Sequence, residues 1–425
     1  MKKIKTRKKK LMILGGNPET RELVDKAIDL GVYTIVVDPN PSAPAKLSAH
    51  ESYNIDAMDV DSLYSLAKEL EVDGVLVGVA DILVPSYYRL AKKLDLPTYG
   101  SKIIVDALCT KDGFEKKCKS HDIPTVPSFS YQEVLNDHKN SNIFPLIVKP
   151  VDNGGGIGMT VCWNANELKV SVKKALNESK KGRILIEKFM DCEDMFSYFT
   201  FDNEKYYLSA VADRVTTKKQ GNLSPVCIGE IYPSKHINKF EKKINPLLQK
   251  FFRSLKIHNG VLNIQFFVKN NEFYAYDPGF RLQGAAPHHH INYFNGFDQR
   301  EMLINFALGI NSTNKVSELN DPEFKSNHAA TIWVLLKSGT IGKIEGLDQL
   351  HKSDFVINIV QRFDLGDKVS KEMEGNERQV FARIYIQAPT KAKLKKRIDY
   401  VNEVLSIKNV NDEEMILDLL KSKDF

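Results

Sequence analysis

At 425 residues the chain can hold two or three domains and a substantial buried core, which excludes a small scaffold held together by cross-links. Apolar residues make up 42% and charged residues 27%, ordinary values that exclude a disordered chain, and no apolar run is long enough to span a bilayer. The net charge of +6 leans on the opening MKKIKTRKKK; the rest is nearly balanced and lacks interleaved aromatic and basic residues, so neither nucleic acid nor a membrane is an expected partner.

The run KKLMILGG predicts a strand closed by glycines, and NPETRELVDKAIDLG carries Leu23, Ala27, Ile28 and Leu30 at helical spacing before a terminating Gly31. YTIVVDPNP predicts a second strand, DVDSLYSLAKELEVDG a capped amphipathic helix, and GVLVGVAD a further strand. This alternation over residues 1–110 predicts a parallel, Rossmann-like α/β domain. From residue 111 to about 310 the character changes to α+β. The helical KDGFEKKCKSHDI leads into strand candidates FPLIVKP, MTVCW and RILIEKFM, with the helix NELKVSVKKALNES between the second and third. SYFTF, YYLSAVADRV, GVLNIQFFV and EFYAYDP supply alternating strands, interrupted by the helix KFEKKINPLLQKFFRSL. Residues 311–425 add the strands AATIWVLL, FVINIVQRF and QVFARIYIQA and the helix TKAKLKKRIDYVNEVL, a β-rich C-terminal domain.

The basic opening is followed only by LMIL, too short for the apolar core of a secretory signal, so it reads as a solvated tail. Cys109, Cys118, Cys162, Cys192 and Cys227 are odd in number and scattered, with no Cys-x-x-Cys pair, which predicts a reducing cytoplasm and no zinc site built on cysteine.

The segment KPVDNGGGIGM, residues 149–159, is the most specific feature. Glycines let backbone N–H groups approach a ligand closely, and phosphate is the usual guest of such a nest. The Walker pattern fails because the lysine precedes the glycines, and the dinucleotide pattern fails because Met159 stands where a glycine is required. Lys149 ends an apolar strand beside the loop and Lys111 opens a helix; two cations and a glycine nest suit a polyphosphate. In GVLNIQFFVKNNEFYAYDPGFR, a turn at Asn270 and Asn271 brings Gln265 and Asp277 together, and two oxygen ligands there suit Mg²⁺, with Mn²⁺ as the alternative.

In this order (α/β domain, Lys111 at a helix start, FPLIVKP and its glycine loop, ILIEKFM, then the metal hairpin) the chain resembles the ATP-grasp superfamily of carboxylate-amine ligases. The branch it looks most like is that of the carbamoyl-phosphate synthetase large subunit and biotin carboxylase. The resemblance implies an ATP-grasp domain over 111–310 with a lid subdomain at about 123–187, preceded by the pre-ATP-grasp domain. It also implies that Lys111 and Lys149 bind ATP phosphates or the adenine edge and that Gly154, Gly155, Gly156 and Gly158 close over the phosphates. By the same resemblance, Glu187 receives the adenine amino group, the backbone of Lys188, Phe189 and Met190 forms the hinge, and Glu193 holds the ribose. Gln265 and Asp277 fall at the metal positions, and Arg281 at that of the arginine that neutralises the acyl-phosphate.

The family usually reads Glu-x-Asn-x-Arg where this chain reads Asp277-Pro-Gly279-Phe-Arg281, so Gly279 brings no side-chain ligand and Asn263 or Gln283 are the available substitutes. Arg214, at a strand end before a polar loop, stands where a guanidinium fork could clamp a substrate carboxylate. Asp81 follows a strand of the α/β domain, at the edge where such sheets place ligand contacts, or else caps the next helix. His288, His289 and His290 could ligate a metal, but adjacent residues of an extended segment cannot all point one way, so one or two are expected to face the site mouth, the alternative being an exposed loop. The expected activity is ATP-dependent C–N bond formation between a small-molecule carboxylate and an amine through an acyl-phosphate. Use of bicarbonate as the acid, or an ATP-binding module with weakened chemistry, are the alternatives, and a homodimer is compatible with all three.

Overall fold

The computed structural model describes residues 7–136, 143–151, 158–179, 182–217, 225–311 and 315–425. Gly154, Gly155 and Gly156 of the glycine loop lie outside the described residues, and Gly158 lies within them.

The N-terminal unit is a parallel sheet in the order Glu51–Tyr53, Tyr33–Val37, Lys10–Leu14, Gly74–Val77. Its two central strands are buried along nearly their whole length, as strands covered on both faces must be, which is why they read as unbroken apolar runs. The helix Pro18–Asp29 starts with proline in its first turn, where the missing N–H costs nothing, and packs Leu23, Val24 and Ala27 inward. Gly74 permits a close approach: a Cβ there would lie 2.5 Å from the Ala307 carbonyl oxygen, so the backbone of the helix Gln299–Ala307 rests against this sheet.

The segment expected as the lid is a four-stranded antiparallel sheet in the order Ser128–Phe129, Ile184–Lys188, Leu146–Pro150, Thr160–Cys162, backed by the helix Ala165–Glu178. FPLIVKP and MTVCW therefore do flank the glycine loop, as adjacent strands of one sheet.

The large antiparallel sheet runs Glu272–Gly279, Gly260–Lys269, Glu193–Asp202, Lys205–Thr216, Cys227–Tyr232, His328–Leu336, Val380–Ala388, Val356–Gln361, with Ile416–Asp418 also paired to His328–Leu336. The strands after residue 311 thus continue the grasp sheet across the seam between Cys227–Tyr232 and His328–Leu336. The strand Cys227–Tyr232 was not among the expected ones, because a glycine and a glutamate interrupt its apolar pattern. The helices His288–Asn295 and Gln299–Ala307 were not expected either. One hydrophobic core joins the α/β unit to the grasp sheet, with Tyr99 set edge-on to Phe280 at 5.3 Å and Phe114 edge-on to Phe251 at 6.2 Å.

Glu230 is fully buried in that unexpected strand and accepts hydrogen bonds from Tyr198 (2.9 Å) and Tyr232. Burial pushes its carboxyl up to about 7, the two tyrosines only partly opposing this. The folded state therefore holds this proton more tightly than the unfolded chain, and the associated stability is full below about pH 4.5 and lost as pH rises to about 7. Urea unfolding at pH 5 and pH 8 should show the stability difference between wild type and Glu230→Gln shrinking or reversing by on the order of 3 kcal/mol at the higher pH. A pH-independent difference would mean that Glu230 does not titrate in this range.

Candidate active site

The site is built at the edge strand of the large sheet, Glu272–Gly279. Asn270 and Asn271 both adopt the left-handed conformation (φ 53° and 63°) that a tight two-residue hairpin requires, which fixes the register of the strands on either side. Gln265 is then paired directly with Asp277 and Asn263 with Gly279. The register slips by one residue between Gln265 and Phe266, leaving Tyr276 as the extra residue of a bulge, the device by which sheets re-aim side chains beside sites. The Tyr276 hydroxyl lies 2.6 Å from Gln265 Oε1 and 3.0 Å from Asp194 Oδ1.

Arg281, just beyond the hairpin, is only 9% exposed, and a charge so buried must be paired. Its guanidinium donates to Asp81 across 200 residues of sequence, to Gln283 Oε1 at 2.6 Å and to the Leu282 carbonyl at 3.1 Å; its Nε has no hydrogen-bond partner among the described residues. Asp81 does lie past the end of the strand Gly74–Val77, and its contact is the hairpin arginine. Burial raises the Asp81 carboxyl; Arg281 pulls it down, and the nearby charge of Asp277 raises it further.

Gly279 has a steric reason. A Cβ at that position would collide with Asn263 Oδ1 and would lie 3.1 Å from Asp81 Oδ1 and from Arg281 Nη1. The space that a side chain at 279 would need is filled by an amide oxygen from the opposite strand. Gln265, Asp277 and Asn263 thus offer two amide oxygens and a carboxylate at one hairpin end, beside a second carboxylate. This oxygen-only set, with Asp81 neutralised by Arg281, fits a hard divalent cation of the Mg²⁺ type.

On the lid, Lys149 and Glu187 lie on adjacent antiparallel strands and form an ion pair in which both side chains are largely buried. Lys188 Nζ donates to the Ile143 (2.9 Å) and Phe144 (2.8 Å) carbonyls, and the N–H groups of Lys188 and Phe189 donate to Pro127 and Pro145, so the segment running on to Met190 is anchored to the lid. The lid meets the hairpin where the Ala275 N–H donates to the Pro124 carbonyl at 2.8 Å. Lys111 opens the helix Lys111–Lys119, capped by Thr110. Gly158 has φ +74°, a conformation that favours glycine, and a Cβ there would meet Pro150 and Glu178.

Glu193 and Arg214, like Lys149 and Glu187, have partners within the chain. Glu193 is half exposed and binds Lys235 and His236 (2.7 Å); burial works to raise its carboxyl, but these partners hold it below its ordinary value. Arg214 Nη1 donates to Asp194 Oδ2 at 2.6 Å, so its guanidinium pairs with a carboxylate of the chain itself. Asp194, Tyr276 and Arg214 therefore form a partly buried network reaching Gln265, and Asp194 was not foreseen. Its only signal was adjacency: consecutive strand residues face opposite sides, and Asp194 shares its side with Phe196 and Tyr198. Burial raises the Asp194 carboxyl despite Arg214.

The histidines correct the sequence expectation. His288, His289 and His290 lie neither on a strand nor on an exposed loop; they open the helix His288–Asn295 and are all buried, at 3%, 8% and 0% exposure. Burial pushes His288 down to about 4 and His290 down to about 3. The short run Gly284-Ala-Ala-Pro287 places proline just ahead of the first helical residue, a helix-start signal that could have been read from sequence.

Residues 126–277 match the family described as D-ala D-ala ligase C-terminus, and residues 8–100 match the ribonucleotide synthetase preATP-grasp domain. The chain has an ATP-grasp fold with a preATP-grasp domain before it. Among curated relatives, a formate-dependent phosphoribosylglycinamide formyltransferase of Sulfurisphaera tokodaii is 26% identical over 203 residues, covering 45% of this chain and 50% of that protein. The chain thus spans about half the length of the curated relatives it matches first. Among solved structures, an L-amino acid ligase from Bacillus licheniformis superposes with a TM-score of 0.75 at 17% identity, covering 95% of this chain and 99% of that one. The biotin carboxylase domain dimer of Hydrogenobacter thermophilus 2-oxoglutarate carboxylase, solved with MgADP, ADP and bicarbonate, gives 0.75 at 16% identity over 96% of this ATP-grasp chain and 91% of its own.

The exchange between positions 263 and 279 can be tested directly. Gly279→Ala should destabilise the chain by about 1–3 kcal/mol through overpacking, and adding Asn263→Ala should recover most of the loss. Thermal unfolding of both single variants and the double variant checks this; additive losses would separate the two positions.

Proposed function

We propose that the protein is an ATP-dependent ligase that activates a substrate carboxylate as an acyl-phosphate and joins it to an amine. The observation that carries this reading is the buried guanidinium of Arg281, fixed by Asp81 and Gln283 beside the paired Gln265 and Asp277. A fixed cation next to oxygen ligands is what an acyl-phosphate needs: phosphoryl transfer depends on positioning and charge stabilisation more than on covalent help from the protein.

ATP lies between lid and sheet. Lys149 meets the phosphates and Glu187 the adenine amino group, with the backbone of Lys188, Phe189 and Met190 as hinge and Lys111 as the second cation. A carboxylate oxygen of the substrate attacks the γ-phosphorus, and the bond from that phosphorus to the bridging oxygen breaks as ADP leaves. Arg281 steadies the resulting acyl-phosphate. The amine then attacks the acyl carbon, loses a proton, and inorganic phosphate departs with the former carboxylate oxygen. Gln265 and Asp277, with Asn263, would hold Mg²⁺ or Mn²⁺, which supplies charge offset for the phosphates. The Arg214–Asp194–Tyr276 network positions Gln265. The lid excludes water that would otherwise hydrolyse the acyl-phosphate.

The L-amino acid ligase likeness supports an organic acid as substrate, and the dimeric carboxylase domain keeps bicarbonate and a homodimer as a second reading. The side chain of Asn263 in the space beside Gly279 argues against lost chemistry, because the hairpin keeps an oxygen donor there.

Phosphate release should be screened with carboxylates crossed with amines in the presence of ATP and Mg²⁺, with bicarbonate alone as one arm. At least one organic acid and amine pair is expected to stimulate release, and Lys149→Ala and Arg281→Ala should each lower it by roughly 100-fold or more. Full turnover in Lys149→Ala would overturn the site, bicarbonate-dependent ADP release without an organic acid would favour the second reading, and ATP binding without turnover for every pair would leave a binding module.

A further inference from the structure

The histidine run is not used by the proposed reaction, and it lies where three parts of the fold meet. Glu22 comes from the helix Pro18–Asp29 of the preATP-grasp domain, His288 and His289 from the first turn of the helix His288–Asn295, and Asn358 from the strand Val356–Gln361. His289 Nε2 is 2.8 Å from Glu22 Oε1 and His288 Nε2 is 3.7 Å from Glu22 Oε2. One ligand atom from each of the three residues lies within 4.8 Å of the others.

Two features set this cluster apart from a packed histidine pair. His288 is 3% exposed, yet neither of its ring nitrogens has a hydrogen-bond partner among the described residues, and Glu22 Oε2 has none either. Leaving such groups buried and unpaired costs about 1–3 kcal/mol each, so the arrangement is unfavourable unless something joins them. The cluster also borders a cavity of about 420 Å³ lined by Glu22, His289, Asn292, Tyr293, Arg300 and Asn358, which gives an ion a route in and leaves a coordination position for water. Arg300, the cation in that wall, is matched by Asp298 at 2.8 Å.

We propose that Glu22, His288 and His289 bind a divalent transition-metal ion of the zinc type, with two imidazole nitrogens and one carboxylate as protein ligands. Imidazole nitrogen selects zinc, cobalt or nickel over the hard Mg²⁺ that suits the all-oxygen hairpin, so the two sites sort their metals by ligand chemistry. Asn358 Nδ2, 3.1 Å from Glu22 Oε1 and 3.0 Å from His289 Nε2, stands in the outer shell and orients the carboxylate. The bound ion ties the preATP-grasp helix to the helix after the hairpin, which makes the site a clamp on domain docking. This inference does not depend on the ligase reading.

Protein stripped with EDTA and returned to excess Mg²⁺ would be titrated with Zn²⁺, and separately with Co²⁺ while following visible d–d absorption. One Zn²⁺ per chain is expected, with a Co²⁺ spectrum that Zn²⁺ abolishes and a rise in Tm on metal addition. His288→Ala, His289→Ala and the near-isosteric Glu22→Gln should each weaken Zn²⁺ binding by at least roughly 100-fold, and Asn358→Ala by roughly 10-fold, with ATP affinity unchanged as the measure of an intact fold. Glu22→Gln decides the matter if the histidine variants fail to fold. Absence of Zn²⁺ binding in the wild type, or stoichiometric binding that survives all the foldable variants, overturns the site.

Discussion

The contact between Asp81 and Arg281 is the constraint around which the molecule is arranged. A guanidinium that is 9% exposed cannot be left unpaired, and its acidic partner comes from the far end of a different sheet. Asp81 itself is half exposed, so the constraint lies on the guanidinium: without Asp81 the buried charge of Arg281 would lose its one carboxylate partner among the described residues. The preATP-grasp domain must therefore dock with the carboxyl end of its strand Gly74–Val77 facing the hairpin. A second ion pair from the same domain, buried on both sides, joins Glu19 to Arg383, with Arg362 at 3.4 Å, and fixes its other contact with the strands after residue 311. Two charged pins and a shared apolar core hold one domain against both halves of the large sheet.

The same constraint explains the chemistry available at the hairpin. Arg281 is held in place before any substrate arrives, so a developing acyl-phosphate meets a cation that needs no reorganisation. Its surroundings carry Asp81, Asp277, Asn263 and Gln283 in contact or close by, a crowding tolerable because Gly279 contributes no side chain. The glycine that looks like a missing ligand in the linear motif is the space that admits Asn263. Tyr276, displaced from the ladder by the bulge, passes the same rigidity on to Gln265 through Asp194 and Arg214.

Much of this was legible in the chain, for identifiable reasons. The parallel sheet, the lid strands, the hairpin register and the position of Asp81 follow from apolar periodicity and from Asn270 and Asn271, which are local signals. What was not legible depends on pairing across the fold. Cys227–Tyr232 carries a buried glutamate that breaks its apolar pattern, and only the tyrosines of two strands make that burial tolerable. The histidines were expected at the site mouth or on an exposed loop, and nothing local announces that Glu22 and a covering strand bury them. Arg214 was expected to hold a substrate, and its pairing with Asp194 on the neighbouring strand depends on a cross-strand register the linear sequence does not announce.

The central claim is that a carboxylate oxygen bonds to the γ-phosphorus of ATP on this scaffold. The most direct measurement uses the organic acid that supports phosphate release, with its carboxylate oxygens labelled by ¹⁸O, and follows the released phosphate by ³¹P NMR. One ¹⁸O atom in each phosphate is predicted, because the C–O bond of the acyl-phosphate breaks when the amine attacks. Unlabelled phosphate formed alongside the C–N product would contradict the account.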